Sequence, residues 1–338
     1  MGVGRKIAIG VSGLVGIVVV GVAGTYLWAG SAASGKLATT YSVHDVAFPI
    51  PAPLTEADIA ALRAERASQV KKGQDPLAGA DLNAVAIERA VKRGKHLVET
   101  LYPCTGCHGV DYGGGVMFES SLVGTFMGPN LTTGNGARTL SYTAADWDRI
   151  VRHGVKPGGN PAIMPANDFF DMSDRELADI VTFLRALPPV DRTIPPSTLG
   201  PLGKWHIASG EFALSAASHP TQHEIAHAAL PPEALPDANF GKHLAQTCLG
   251  CHGKTLAGGP IAGGDPRWPP ASNLTPTGLS GWTYEDFVGA MRKGIRKDGT
   301  ALREPMSARP RFAEHMSDTE LQALWAYLRT LPPQSSAP

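Results

Sequence analysis

Cys104-Thr-Gly-Cys107-His108 and Cys248-Leu-Gly-Cys251-His252 decide the fold. In each, two residues separate the cysteines and a histidine follows the second directly. On one short helical turn that spacing brings both sulfurs to one side and holds the imidazole beside them. Sliding the chain against itself extends the match outward. Cys104 and Cys248 are 144 residues apart. Asn130-Leu-Thr132 returns as Asn273-Leu-Thr275 at 143, Arg152-His-Gly-Val155 as Arg292-Lys-Gly-Ile295 at 140, and Met172-Ser-Asp174 as Met316-Ser-Asp318 at 144. Phe183-Leu-Arg185 with Leu187-Pro-Pro189 returns as Tyr327-Leu-Arg329 with Leu331-Pro-Pro333. Ordered matches near one offset mean two copies of one domain, spanning 82–190 and 238–334.

Each copy closes on a helix whose start and stop are legible. Ser173 with Glu176, and Ser317 with Glu320, form capping boxes. Leu177, Ile180, Val181 and Leu184 make one apolar stripe, and Leu321, Leu324, Trp325 and Leu328 the other. Both helices stop at a double proline. A further helix over 82–101 leads into Cys104. Thr55 and Asp58 open another, with Ile59, Leu62, Ala67 and Val70 on one face, ending near 71–73. The expectation is an all-α protein with glycine-rich loops between short helices. Between the copies, 191–237 reads as a proline-rich linker whose Leu202, Trp205, Ile207 and Phe212 pack between the domains.

Cys-x-x-Cys-His is the attachment signal of a c-type haem, with the histidine as proximal ligand of the iron. Cys104 and Cys107 would bond one porphyrin and Cys248 and Cys251 a second, so two covalent haems are expected. His108 and His252 are the proximal ligands. The histidine after each pair argues against a redox dithiol. A four-cysteine zinc site would have to join two separate domains. For the sixth ligand, Met164 in Ile163-Met164-Pro165 and Met306 in Pro305-Met306-Ser307 lie 56 and 54 residues after their histidines, ahead of the closing helix. Met172 and Met316 are rivals, but they abut the capping serines, where an apolar side chain packs as a staple. An iron with six ligands has no site for substrate, so no catalytic residue is expected.

Thirty basic and thirty acidic side chains cancel, which excludes the basic excess of a nucleic-acid binder. Local charge is uneven. Arg292, Lys293, Arg296, Lys297, Arg303, Arg309 and Arg311 crowd around Met306, while Asp168, Asp171 and Asp174 follow Met164. The basic run reads either as an ordinary solvated face that also contacts haem propionates or as a docking surface for an acidic redox partner; on the second reading the two haem edges would face different partners. His223-Glu-Ile-Ala-His227 satisfies the zinc-peptidase pattern, but it lies between Pro220 and Pro231 with no third ligand following. It reads as a short helix carrying surface histidines.

Arg5 and Lys6 precede an uncharged stretch, Ile7–Ala29, of 23 residues, about 34 Å as helix and enough to cross a bilayer. A signal peptide would have a shorter apolar core, so an uncleaved anchor over 1–30 is expected. Its basic flank puts the N-terminus in the cytoplasm and the body outside. Residues 31–81 read as an extended tether followed by the short helix. Gly10, Gly13, Gly16, Gly21 and Gly24 offer a face to other subunits of a membrane complex.

Gly128-Pro-Asn-Leu-Thr132, Ala271-Ser-Asn-Leu-Thr275, Gly281-Trp-Thr283, Ala290-Met-Arg-Lys-Gly294 and the run from Asp298 to Met306 carry a family resemblance. The chain resembles membrane-anchored dihaem cytochromes c built from two tandem class I domains. It is similar to the cytochrome subunits of bacterial alcohol, aldehyde and gluconate dehydrogenases. The likeness covers about 82–334. It implies electron transfer between a redox-protein donor and an acceptor at the outer face of a bacterial inner membrane. Two other readings carry different consequences: a dihaem redox enzyme of the peroxidase or thiosulfate dehydrogenase type, and a fixed haem subunit of a larger respiratory or photosynthetic complex. The chain departs from the dehydrogenase subunits in having two haem signals where three are common, an N-terminal anchor, and serine after Met306 where proline is usual.

Overall fold

The computed structural model describes residues 3–218, 220–261, 264–265, 267–308 and 313–336, with only the backbone described for 3–15, 220 and 221. Arg309 and Arg311 of the basic run lie outside these residues. The chain is predominantly helical, as expected. In the first copy, helix Leu82–Thr100 crosses the closing helix Asp174–Ala186. In the second, Ala238–Leu244 crosses Asp318–Thr330. The crossing point is a glycine each time. A Cβ on Gly94 would lie 2.1 Å from the Asp179 carbonyl oxygen, and one on Gly241 1.9 Å from that of Ala323. The helices therefore touch backbone to backbone.

Both closing helices begin as the sequence predicts. Ser173 Oγ accepts from the Glu176 amide while the Glu176 carboxylate accepts from Ser173, and Ser317 and Glu320 repeat the arrangement. Met172 and Met316 are 2% exposed, inside the core. Each lends its carbonyl to an arginine of the preceding helix, Arg152 at 3.0 Å and Arg292 at 2.9 Å.

One apolar cluster runs through both copies, from Val98 and Leu177 to Phe240 and Leu324. Two polar contacts cross the same interface with matching chemistry. His96 Nε2 lies 2.8 Å from Glu320 Oε1, and His243 Nε2 lies 2.8 Å from Glu176 Oε1. Each capping-box glutamate thus uses one oxygen to close its own helix and the other to bind a histidine of the other copy.

Three expectations need correction. The helix expected to end at 29 runs on to Ala38, so 31–38 is not tether. Beyond Ala29 it docks: Ala33 packs with Ile207 and Leu214, and Lys36 Nζ donates to the carbonyls of Ile207 and Ala208, both at 2.9 Å. Those carbonyls end the linker helix Pro201–Ser209 and attract a cation there. Second, the linker packs on the first copy and this helix. Trp205 meets Trp28 edge to face at 5.6 Å, and Phe212 stacks on Phe126 at 6.2 Å. Leu202 stays 42% exposed. Third, the short helix covers only Glu56–Arg66, with a 3-10 turn to Gln69, and Leu62 is its buried residue.

A small antiparallel sheet was not anticipated. Gly115–Ser120 pairs with Gly124–Gly128, which pairs with Thr198–Leu199 of the linker. In the second copy the corresponding rung survives as the single bridge Gly259 to Ala271.

Candidate functional site

The Cys-x-x-Cys-His segments form matching one-turn helices, Thr105–His108 and Leu249–His252. In the first, the His108 amide donates to the Cys104 carbonyl at 2.9 Å. Gly109 and Gly253 end these turns at φ of 78° and 75°, a region where a side chain would be strained. Tyr112 and Leu256, three residues on, share positive φ at 56° and 58°. The repeat is therefore conformational as well as chemical.

Each histidine is aimed from behind. The ring Nδ1 of His108 donates to the Pro129 carbonyl at 2.9 Å, and that of His252 to the Ser272 carbonyl at 2.7 Å. A carbonyl only accepts, so Nδ1 carries the proton and Nε2 keeps its lone pair. Burial lowers both pKa values, against the opposing carbonyl bonds, which keeps the rings neutral. The carbonyls are fixed by the Asn-Leu-Thr segments. Asn130 Oδ1 accepts from the amide and hydroxyl of Thr132, and Asn273 does the same for Thr275. Asn130 Nδ2 reaches Val190 and Asn273 Nδ2 reaches Gln334, just past each closing helix. Gly128 allows the approach in the first copy: a Cβ there would lie 1.9 Å from the Cys107 carbonyl oxygen.

In the second copy a cavity of about 270 Å³ opens on this turn. Cys248, Cys251, His252 and Met306 share its lining with Leu274, Phe287, Met291 and Leu324. Arg296 and Arg303 line it too. The structure thus brings together the four residues predicted for this site, in an apolar slot with cationic side chains among its walls. Met316 is not part of it.

In the first copy Met164 is half-buried and follows the bridge Val155 to Pro161, as Met306 follows Ile295 to Ala301. The Met164 carbonyl accepts from Ser215 Oγ at 2.8 Å. The second loop is two residues longer between bridge and methionine, which takes the repeat offset from 140 at the bridge to 142 at the methionine. Burial pushes the Cys104 thiol up to about 12 and raises that of Cys107. A dithiol redox site needs the opposite shift.

The acidic trio behind Met164 does not form an open face. Asp174 pairs with Arg152 at 2.8 Å. Asp168 is turned onto the second attachment turn, 2.8 Å from where a Cβ on Gly250 would be, and burial pushes its carboxyl up to about 6. In the basic run, Arg292 is bound to Asp318 and Lys297 to the Gly281 carbonyl. His223, expected on the surface, is 4% exposed.

The sequence profile of the family described as Cytochrome c matches residues 91–188 and 238–332. The cytochrome c subunit of a quinone alcohol dehydrogenase from Gluconobacter oxydans is 26% identical over 313 residues, covering 78% of this chain and 61% of that protein. A dihaem cytochrome c-type protein of Cereibacter sphaeroides is 26% identical over 264 residues, 68% of this chain and 82% of its own length. The gluconate 2-dehydrogenase cytochrome c subunit of Pantoea cypripedii is 36% identical over 115 residues, 30% of this chain and 25% of that protein. The chain spans about three fifths of the alcohol dehydrogenase subunit it matches.

Proposed function

This chain belongs to the cytochrome c family, and from that premise we propose that it carries electrons between redox partners through two covalently attached c-type haems. The observation that carries the reading is the twofold orientation of His108 and His252 by carbonyl acceptors, directly after paired cysteines. When bound, each haem would supply one-electron exchange at its iron. Cys104 and Cys107 would hold the first group and Cys248 and Cys251 the second, in the domains 82–190 and 238–334. His108 and His252 would present neutral Nε2 lone pairs. Met164 and Met306 would supply the thioethers, which favour a higher potential than a second imidazole. Leu274, Phe287 and Leu324 keep water from the second site, and Arg296 and Arg303 would offset the carboxylate side groups of the porphyrin.

One helix, over Gly16–Ala38 among the described side chains, is long and apolar enough to cross a membrane. Ile17, Val20 and Leu27 are at least 70% exposed and have no protein cover. Tyr26, Trp28, Lys204 and Trp205 cluster at its emerging end, the amphipathic mixture favoured at a membrane surface. We read the helix as a single-pass anchor, with Arg5 and Lys6 on the cytoplasmic side and the haem domains outside. A membrane dehydrogenase is the proposed donor, by analogy with the named relatives, and a second redox protein or membrane subunit the acceptor.

The test is a haem count on the purified full chain. Two covalent haems per chain should remain after acid–acetone extraction, and Cys107→Ala or Cys251→Ala should each leave one. The oxidised protein should show the near-infrared sulfur-to-iron band, with about half lost in Met164→Ala and half in Met306→Ala. One haem per chain, or a band surviving Met306→Ala but lost in Met316→Ala, would reject the assignment.

A further inference from the structure

Neither haem site uses the His223-Glu-Ile-Ala-His227 segment, yet its two histidine side chains are buried beside three other groups. His44 comes from the extended chain after the anchor helix. Asp148 comes from the middle of helix Ala144–Arg152 and His153 from its C-cap. The ligand atoms of His44, Asp148, His153 and His227 all lie within 4.8 Å of one another. The side chains of Asp148 and His153 are fully buried and that of His227 is 4% exposed.

The hydrogen bonds around this cluster fix its protons. His223 Nε2 lies 2.9 Å from the Ala216 carbonyl and must donate, so its Nδ1 is an acceptor. His153 Nδ1, 3.1 Å from that atom, must therefore donate, and His153 Nε2 keeps a lone pair. His44 Nδ1 donates to the His223 carbonyl at 2.9 Å, so His44 Nε2 keeps one as well. Arg152 occupies Asp148 Oδ1 at 2.7 Å. Asp148 Oδ2 and His44 Nε2 are buried with no hydrogen-bond partner. Even a protonated Oδ2 would sit 3.6 Å from His153 Nε2, too far to bond it. Lone pairs of His44, His153 and Asp148 thus converge with at most one donor among them, a proton on His227 Nε2, which lies 3.0 Å from His153 Nε2. The charge balance agrees: Arg152 faces both Asp148 and Asp174, leaving one net negative charge.

We propose that this cluster is a structural binding site for one divalent cation of the zinc class. His44, His153 and His227 bind through Nε2 and Asp148 through Oδ2. Three neutral imidazoles and a carboxylate suit zinc, whose tetrahedral bonds of about 2.0–2.1 Å set ligands about 3.3 Å apart. His153 Nε2 and His227 Nε2 are 3.0 Å apart, Asp148 Oδ2 lies 3.6 Å from His153 Nε2, and Asp148 Oδ1 lies 3.7 Å from His227 Nε2. Four protein ligands leave no open position, and Glu224 is exposed, so the site has no peptidase geometry. His223 is a positioning residue, orienting His44 and His153 from behind. The cation would pin the linker to the first copy beside the segment carrying Met164, which Ser215 already holds. That last consequence rests on the proposed haem ligation; the metal site itself does not.

The experiment uses the full dihaem chain without a histidine tag, dialysed to equilibrium against buffered Zn2+, with zinc and iron measured by mass spectrometry. One zinc per two irons is expected, with an X-ray absorption spectrum showing only nitrogen and oxygen neighbours. Asp148→Asn and His227→Ala should weaken binding by more than about 100-fold and His223→Ala by about 10–100-fold. His206→Ala, at a half-buried histidine bonded to Glu211 outside the cluster, should change nothing. Variants are compared at equal haem content, and zinc should raise the melting temperature of wild type but not of His227→Ala. A wild-type protein taking up less than half an equivalent at micromolar free zinc overturns the proposal. So does uptake unchanged by both Asp148→Asn and His227→Ala. If zinc binds as expected while the near-infrared band is absent, the haem ligation fails and the metal site stands.

Discussion

Replacing His243 with alanine tests whether the two copies are held together by their capping glutamates. The side chains of His243 and Glu176 are 9% and 5% exposed, and they meet at 2.8 Å. Glu176 Oε2 still closes its own helix through Ser173 in the variant, but Oε1 is left buried without a donor. A hydrogen bond to a charged partner contributes about 1.5–3 kcal/mol. With a urea dependence of about 2 kcal/mol/M, the unfolding midpoint of the docked pair should fall by about 1 M at pH 6. Burial lowers the His243 pKa, but the hydrogen bond and charge of Glu176 outweigh it, and the net shift is upward. A raised histidine stabilises fully below its unfolded pKa, near 6.5. That contribution is lost as pH climbs through the folded value. The gap between wild type and His243→Ala should therefore shrink from pH 6 to pH 9, while His243→Gln, an uncharged donor, should show little pH dependence. Far-UV circular dichroism during urea titration reads all three. A coupling with Glu176→Gln below about 0.5 kcal/mol in the double-mutant cycle, or a gap unchanged across that range, would refute the argument.

Gly94→Ala and Gly241→Ala should each destabilise by more than the about 1–3 kcal/mol of ordinary overpacking, because the added methyl meets a carbonyl rather than a movable side chain. Thermal unfolding of each variant checks this, and a loss under about 0.5 kcal/mol would show that the helices can separate cheaply. Met172→Ala should cost about 2–5 kcal/mol and leave the near-infrared band intact, since the side chain lies in the core. Lys36→Ala removes both bonds to the Ile207 and Ala208 carbonyls, so a protease should cut between 30 and 54 faster than in wild type. The apolar span should still hold the protein in carbonate-washed membranes, because its burial in lipid does not depend on charge pairing.

What could be read from the sequence is what is encoded within a few residues. Ser173 and Glu176 announce a helix start because both halves of the cap lie within one turn, and Cys104 to His108 announce an attachment turn for the same reason. Met172 and Met316 could be set apart from Met164 and Met306 by their place beside a capping serine, and both side chains lie in the core. The hairpin from Gly115 to Gly128 was missed because its strands are short. Its edge is completed by Thr198–Leu199, seventy residues on, which no local pattern announces. The end of the anchor helix was missed because nothing local shows what Lys36, in its last turn, does. Its ammonium satisfies the terminal carbonyls of a helix far along the chain.

The same limit explains the second use of Glu176 and Glu320. One oxygen of each was legible as a cap. The other was not, because its histidine lies 67 residues away in one case and 224 in the other. Sequence comparison of the two copies still held a clue. His96 and His243 stand at equivalent places on the first helix of each copy, and each helix already packs through a glycine against a closing helix. A histidine at that position in both copies is a polar residue near a crossing that needs close packing. Its partner had to lie on another element, and the capping glutamates were among the acidic groups common to both copies. The histidines of the linker carried no such repeat signal. His153 has Lys293 at its repeat position, so the cluster around Asp148 belongs to the first copy and its linker. Only the folded path, which returns residues 214–228 behind the Met164 segment, brings those side chains together.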